Sequence, residues 1–137
     1  MIISARNQFA GKVVKVQEGA VNGIVTIDAK GVLISGTISM AAIKELGLKE
    51  GENAVAIIKA TEVLVGLGEL NLSARNKFRG VVTDINEGAV NDIVKIQVTE
   101  DMTVSATISK AAVKELELKK GCAAVAVVKA TSVMFGK

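Results

Sequence analysis

Ser4-Ala5-Arg6-Asn7 stands near the start of the chain and Ser73-Ala74-Arg75-Asn76 repeats it, each time followed by a phenylalanine two residues on (Phe9, Phe78) and a glycine two beyond that (Gly11, Gly80). The repetition extends outward from this stretch. Glu18-Gly19-Ala20-Val21-Asn22 returns as Glu87-Gly88-Ala89-Val90-Asn91, and Lys59-Ala60-Thr61 returns as Lys129-Ala130-Thr131. Three separated motifs recurring in one order describe a duplicated module, so the 137 residues divide into two small domains instead of one ordinary one. The expected boundaries are 1–67 and 71–137, with Gly66-Leu67-Gly68-Glu69 as a short linker. The distance from Ser4 to Ser73 is 69 positions and that from Lys59 to Lys129 is 70, so the second copy carries one extra residue, placed near Thr99 to Met102 at a hairpin tip.

Each copy reads as five short strands with one helix. In the first, Phe9 to Val16 alternates as a strand, with Val14 and Val16 on one face, Val13 on the other and Gly11 as a candidate bulge. Ile24 to Ile27 and Val32 to Ile38 follow around an Ala29-Lys30-Gly31 turn. Ser39 then precedes Met40 to Leu46, a helix-favouring run with Ser39 as N-cap, Gly47 as stop, and Ile43 and Leu46 on the covered face. Ala54 to Lys59 is a fourth strand, and Val63 to Val65 begins a fifth. The second copy repeats this through Phe78 to Ile85, Ile93 to Val98, Met102 to Ile108, a helix from Lys110 to Leu116 capped by Ser109, and Ala124 to Lys129. Glu117 replaces the terminating glycine there, which predicts a less sharply defined helix end. The element order is that of an OB-like barrel, so the fold class is mostly β: two tandem OB-like small β-barrels, each with one short helix.

Composition restricts what such a chain can do. A domain of about 68 residues buries only about 60% of its unfolded surface. Half of the residues are nonetheless hydrophobic, so extensive domain contact and oligomerisation are expected. The net charge of +3 is mild and its signs are interspersed, which suits a small anion better than a polyanion. There is no histidine, no nucleophile–base pair, no metal-ligand cluster and no Gly-Lys-Ser/Thr phosphate loop, so the chain reads as a binding protein and not an enzyme. Nucleic-acid binding on an OB barrel is the alternative, but bases stack on aromatic side chains, and only Phe9, Phe78 and Phe135 are present. The single cysteine, Cys122, permits no internal disulfide and reads as a small buried residue. Met1-Ile2-Ile3 is too short for a signal-peptide core and no run of apolar residues is long enough to span a membrane, so a cytoplasmic protein is expected.

The polar motifs carry the chemistry. A hydroxyl, a guanidinium and a carboxamide within Ser4-Ala5-Arg6-Asn7 can all hydrogen-bond one compact group, and the arginine fork suits an oxyanion. Lys59-Ala60-Thr61 and Lys129-Ala130-Thr131 add a second cation and hydroxyl per copy. A dianion leaving water needs several charge-assisted donors, so these clusters are expected to act together. Taken with the Glu-Gly-Ala-Val-Asn turns, the pattern resembles the Mop domain of the molbindins, cytoplasmic molybdate-binding proteins. The resemblance implies storage or buffering of molybdate or tungstate as the bound oxyanion, with no covalent cofactor and no metal other than the one carried in the oxyanion. It also implies sites at domain and subunit interfaces of a homo-oligomer, a trimer of two-domain chains, with no nucleic-acid or membrane partner. Residue by residue, the implied oxyanion set is Ser4, Ala5, Arg6, Asn7, Lys59, Ala60 and Thr61, and their counterparts Ser73, Ala74, Arg75, Asn76, Lys129, Ala130 and Thr131. Helix-start hydroxyls map to Ser39 and Ser109, while a further family hydroxyl is replaced here by Ala42 and Ala112. A second class of oxyanion site is implied at Gly19, Ala20, Val21 and Asn22, and at Gly88, Ala89, Val90 and Asn91. A regulatory oxyanion-sensing module is a further alternative.

Overall fold

The computed structural model describes residues 2–137. The strands in chain order are β1 (Asn7–Gln17), β2 (Asn22–Ala29), β3 (Val32–Ser39), β4 (Asn53–Ile58), β5 (Leu64–Gly66), β6 (Asn76–Asn86), β7 (Asn91–Thr99), β8 (Met102–Ser109), β9 (Ala123–Val128) and β10 (Met134–Gly136). Helix α1 (Met40–Leu46) follows β3 and α2 (Lys110–Glu115) follows β8. Single 3-10 turns, Ala60–Glu62 and Ala130–Ser132, precede β5 and β10.

The chain is mostly β, as its alternating patterns predict, and forms two five-stranded antiparallel sheets, in the orders β10-β4-β1-β2-β3 and β5-β9-β6-β7-β8. The compact units therefore divide the chain differently from the repeats. One joins the segment ending at Ile58 to Lys129–Lys137, and the other runs from Lys59 to Val128. In the first unit Met134, Phe135 and Gly136 pair with Ile57, Ala56 and Val55 of β4; in the second Leu64, Val65 and Gly66 pair with Val127, Ala126 and Val125 of β9. Each repeat's last strand thus completes the sheet begun by the other repeat. Gly66 is consequently strand and not linker, and the connection to β6 starts at Leu67.

The first unit's core is built from Val13, Val25, Ile27, Ile34, Ala56 and Ile58, closed by Val133 and Phe135 from the end of the chain. The second uses Phe78, Val82, Val94, Ile96, Val104 and Val128, closed by Val63. Phe78 lies in the core, whereas its counterpart Phe9 is half-buried. Two details of β1 differ from expectation. The irregularity in pairing with β2 falls between Val13 and Lys15, not at Gly11, so Val13 is buried while Val14 is 44% exposed. Gly11 serves a different need: a side chain there would run into the backbone carbonyl of Asp28, and Gly80 stands in the same relation to Gln97. The extra residue of the second copy also sits elsewhere. Both hairpin tips have two residues, and the insertion is taken up as a register shift in β7 between Gln97 and Thr99.

Helix α1 behaves as its caps predict. The Ser39 hydroxyl accepts from the Ala42 amide at 3.0 Å, and Gly47 takes a left-handed φ of 61°. Ile43 is buried, but Leu46 is only half-covered, and Leu48 just beyond the helix is buried instead. At the end of α2, Glu117 adopts φ 52°, and its amide bonds to Lys114 O while that of Leu118 bonds to Val113 O. These are the bonds made by Gly47 and Leu48, so this helix end is as well defined as the first despite lacking the glycine.

Candidate functional site

Strand pairing decides which motifs meet. In the first unit Asn7, the first residue of β1, faces Ile58 at the end of β4, and β10 enters beside it with Met134 against Ile57. The Ser4-Ala5-Arg6-Asn7 segment therefore enters β1 beside the end of β4, from which Lys59-Ala60-Thr61 departs, while the Lys129-Ala130-Thr131 turn leads into β10. In the second unit Asn76 faces Val128, so Ser73-Ala74-Arg75-Asn76 enters β6 beside the end of β9, from which Lys129-Ala130-Thr131 departs, while Lys59-Ala60-Thr61 leads into β5. Each Lys-Ala-Thr turn thus leaves one sheet beside the arginine segment of its own repeat and leads into the terminal strand of the other sheet.

Within a cluster the residues divide by exposure. Arg6, Arg75, Lys59, Lys129, Thr61, Thr131, Ser4 and Ser73 are exposed, Ala5 and Ala74 half-buried. Ala60 and Ala130 are buried and can offer only backbone. Asn7 and Asn76 are 1% and 2% exposed, and the Asn76 carboxamide donates to Val128 O at 3.2 Å, tying β6 to β9. A buried carboxamide costs stability unless it is hydrogen-bonded, which makes these asparagines anchors for the strand that presents the arginine. No side chain caps either 3-10 turn.

Ser39 and Ser109 do not join these clusters within their own units. At the far end of β1, Gln17 pairs with Ile24, Asn22 pairs with Ser39, and Met40 N donates to Val21 O at 2.8 Å. The Gly19-to-Asn22 turn and the start of α1 thus form a second polar cluster at the other end of the sheet. Gly88 to Asn91 and Ser109 make its counterpart, with Lys110 N donating to Val90 O at 2.9 Å.

The two copies of this second cluster are not alike. Asp92, 1% exposed, accepts from the Gly88 amide at 3.1 Å and from Lys110 Nζ at 3.0 Å, and Lys110 also reaches Glu87 at 3.3 Å. The Lys110 hydrogen bond holds the Asp92 carboxyl below its ordinary value against the opposing effect of burial, and Asp92 in turn raises the Lys110 ammonium. The first copy has Gly23 and Met40 at these positions, and a side chain on Gly23 would meet Ile43 Cδ1 at 2.7 Å. Sequence reading missed Asp92 because a lone aspartate after an Asn turn looks solvated. The paired change of Gly23 to Asp92 and Met40 to Lys110 was the available signal.

Among the described residues no group of three or more His, Cys, Asp or Glu could hold a metal ion, and no helix is long and apolar enough to cross a membrane. Cys122 is half-buried and accepts a hydrogen bond from the Lys119 amide at 3.5 Å.

Two small β units of one design, each with a cationic, hydroxyl-bearing cluster at a sheet end, define a tandem domain of a known kind. The family model for the TOBE domain matches residues 3–65 and again 72–135, and the chain belongs to that family. The likeness to molbindins carried by the motifs is borne out. The fold matches the solved structure of the cytoplasmic molybdate-binding protein ModG, with molybdate bound, at a TM-score of 0.96 and 39% identity over 99% of each chain. One repeat is 57% identical over 68 residues to a probable molybdenum-pterin-binding protein of Haemophilus influenzae, covering 49% of this chain and 99% of that one. The molybdenum transport protein ModE of Herbaspirillum seropedicae is 36% identical over 137 residues, covering 98% of this chain but 51% of ModE, so the chain spans about half the length of that relative.

Proposed function

We propose that this chain binds molybdate, and tungstate equally, as a cytoplasmic oxyanion store or buffer. The observation that carries this reading is the register: Asn7 faces Ile58 and Asn76 faces Val128, so Lys59-Ala60-Thr61 leaves its strand where Ser4-Ala5-Arg6 enters, and Lys129-Ala130-Thr131 where Ser73-Ala74-Arg75 enters, bringing cations and hydroxyls to one sheet end. Such a set can replace the water shell of a tetrahedral dianion without a base or nucleophile, which supports binding over catalysis. The molybdate bound by ModG and the names of the molybdenum-pterin-binding relatives support the choice of ligand. Ser39, Ser109 and the Gly19-to-Asn22 and Gly88-to-Asn91 turns lie at the far end of each sheet, so they do not reach an anion held by the cationic cluster of their own unit. We therefore assign the sites to subunit interfaces of a homo-oligomer, a trimer of chains.

Nucleic-acid binding is less well supported. Phe78 and Phe135 are buried and Phe9 is half-buried, which leaves no exposed aromatic platform for base stacking among the described residues.

Molybdate and tungstate are tetrahedral dianions of nearly equal size, and fixed donors have little by which to separate them, whereas the smaller sulfate cannot reach all donors at once. Isothermal titration calorimetry should show both larger anions binding at the same stoichiometry and sulfate far weaker. Equal affinity for sulfate would overturn the assignment.

A further inference from the structure

The two terminal strands β5 and β10 are short, similar in sequence and preceded by the same Lys-Ala-Thr turn, yet each enters one sheet and not the other. Backbone pairing cannot tell them apart, because both use the same register: Phe135 faces Ala56 as Val65 faces Ala126. Side-chain volume can. Position 36 of β3 is glycine, and a Cβ placed there would stand 2.6 Å from Phe135 Cε2 and 3.0 Å from Val133 Cβ, distances at which something must move. The second repeat has Ala106 at the equivalent place in β8, wholly buried, and the strand docked in that unit brings Val65 where β10 has Phe135. Large side chain meets glycine in one unit, and medium side chain meets alanine in the other.

We propose that this volume pairing selects which terminal strand docks in which unit: the groove beside Gly36 is an interaction surface for the Phe135 strand, and the groove beside Ala106 for the Val65 strand. With the opposite assignment, Phe135 would be forced against the Ala106 methyl while Val65 left a void over Gly36, so both grooves would lose by the change. Overpacking and cavity formation are each unfavourable in a close-packed interior. Terminal strands of only three residues have few backbone bonds to resist such a penalty.

The experiment uses the full-length chain with Cys122→Ala in every variant, so that only introduced cysteines can cross-link. In the otherwise native background, V55C with G136C should oxidise to a disulfide, because these residues are Cα partners, and V55C with G66C should not. Exchanging the two strand residues as V65F/F135V leaves composition unchanged, and should transfer the cross-link from the G136C pair to the G66C pair, because the volumes then match only in the opposite assignment. Adding G36A/A106G should return the original cross-link. If V65F/F135V proves too unstable to purify, G36A/A106G alone should transfer the cross-link in the same way. A V65F/F135V or G36A/A106G protein that keeps the original cross-link, or a four-fold variant that does not regain it, would overturn the proposal.

Discussion

Arg6 and Arg75 are exposed and form none of the ion pairs found among the described residues. An anion that binds only the folded state should stabilise it, by about 2.7 kcal/mol per independent site at a hundred times its dissociation constant. Replacing both arginines by alanine should abolish most of the molybdate-induced rise in melting temperature and leave the unliganded protein at least as stable. A double variant that keeps the full response would place the anion elsewhere. Glu117 poses a different question at the same scale. It occupies the left-handed conformation that Gly47 occupies in the first repeat, and a side chain there costs about 1 kcal/mol. Glu117→Gly should therefore raise unfolding stability by about that amount in denaturant titration, whereas Gly47→Ala should lower it by a similar amount.

At the scale of elements, the brace of α2 against the Glu87-to-Asn91 turn makes stability depend on pH. Asp92 has a carboxyl held low in the folded state, so its contribution is complete above the unfolded value of about 3.9 and is lost as pH falls through the lower folded value. Lys110 is raised, so its contribution is complete below about 10.4 and is lost as pH climbs through the higher folded value. Asp92→Asn should lower stability at neutral pH and flatten the acid limb, as read from melting temperatures between pH 2 and 7; an unchanged acid limb would show that the pair contributes nothing. Strands, helices and caps were legible in the sequence because each rests on local periodicity and on Ser39, Gly47 and Ser109. The motif segments were legible as parts, but the sheet that each terminal strand joins was not, because a three-residue strand has the same local pattern whichever sheet it enters. The insertion was misplaced for a related reason: a hairpin tip and a bulge at Val98 are equivalent in an alignment of two copies, and register alone separates them.

For the whole molecule, a single chain leaves Val21 and Val90 at 74% exposure, with Leu33 at 60% and Leu64 at 55%. Apolar residues so far open to water favour association, in keeping with the trimer proposed above. Multi-angle light scattering should report a mass near three chains at micromolar concentration, and a stable monomer there would contradict the proposal. The exchange of terminal strands also bears on how the protein is made. During synthesis the first repeat emerges with β1 to β4 in place, but the strand that closes its sheet lies at Met134–Gly136. Since domains otherwise tend to fold as they leave the ribosome, this nascent chain must carry an unfinished sheet edge beside β4 until the whole second repeat has been read. Translation arrested anywhere before β10 should therefore yield no protease-resistant first unit, however long the pause.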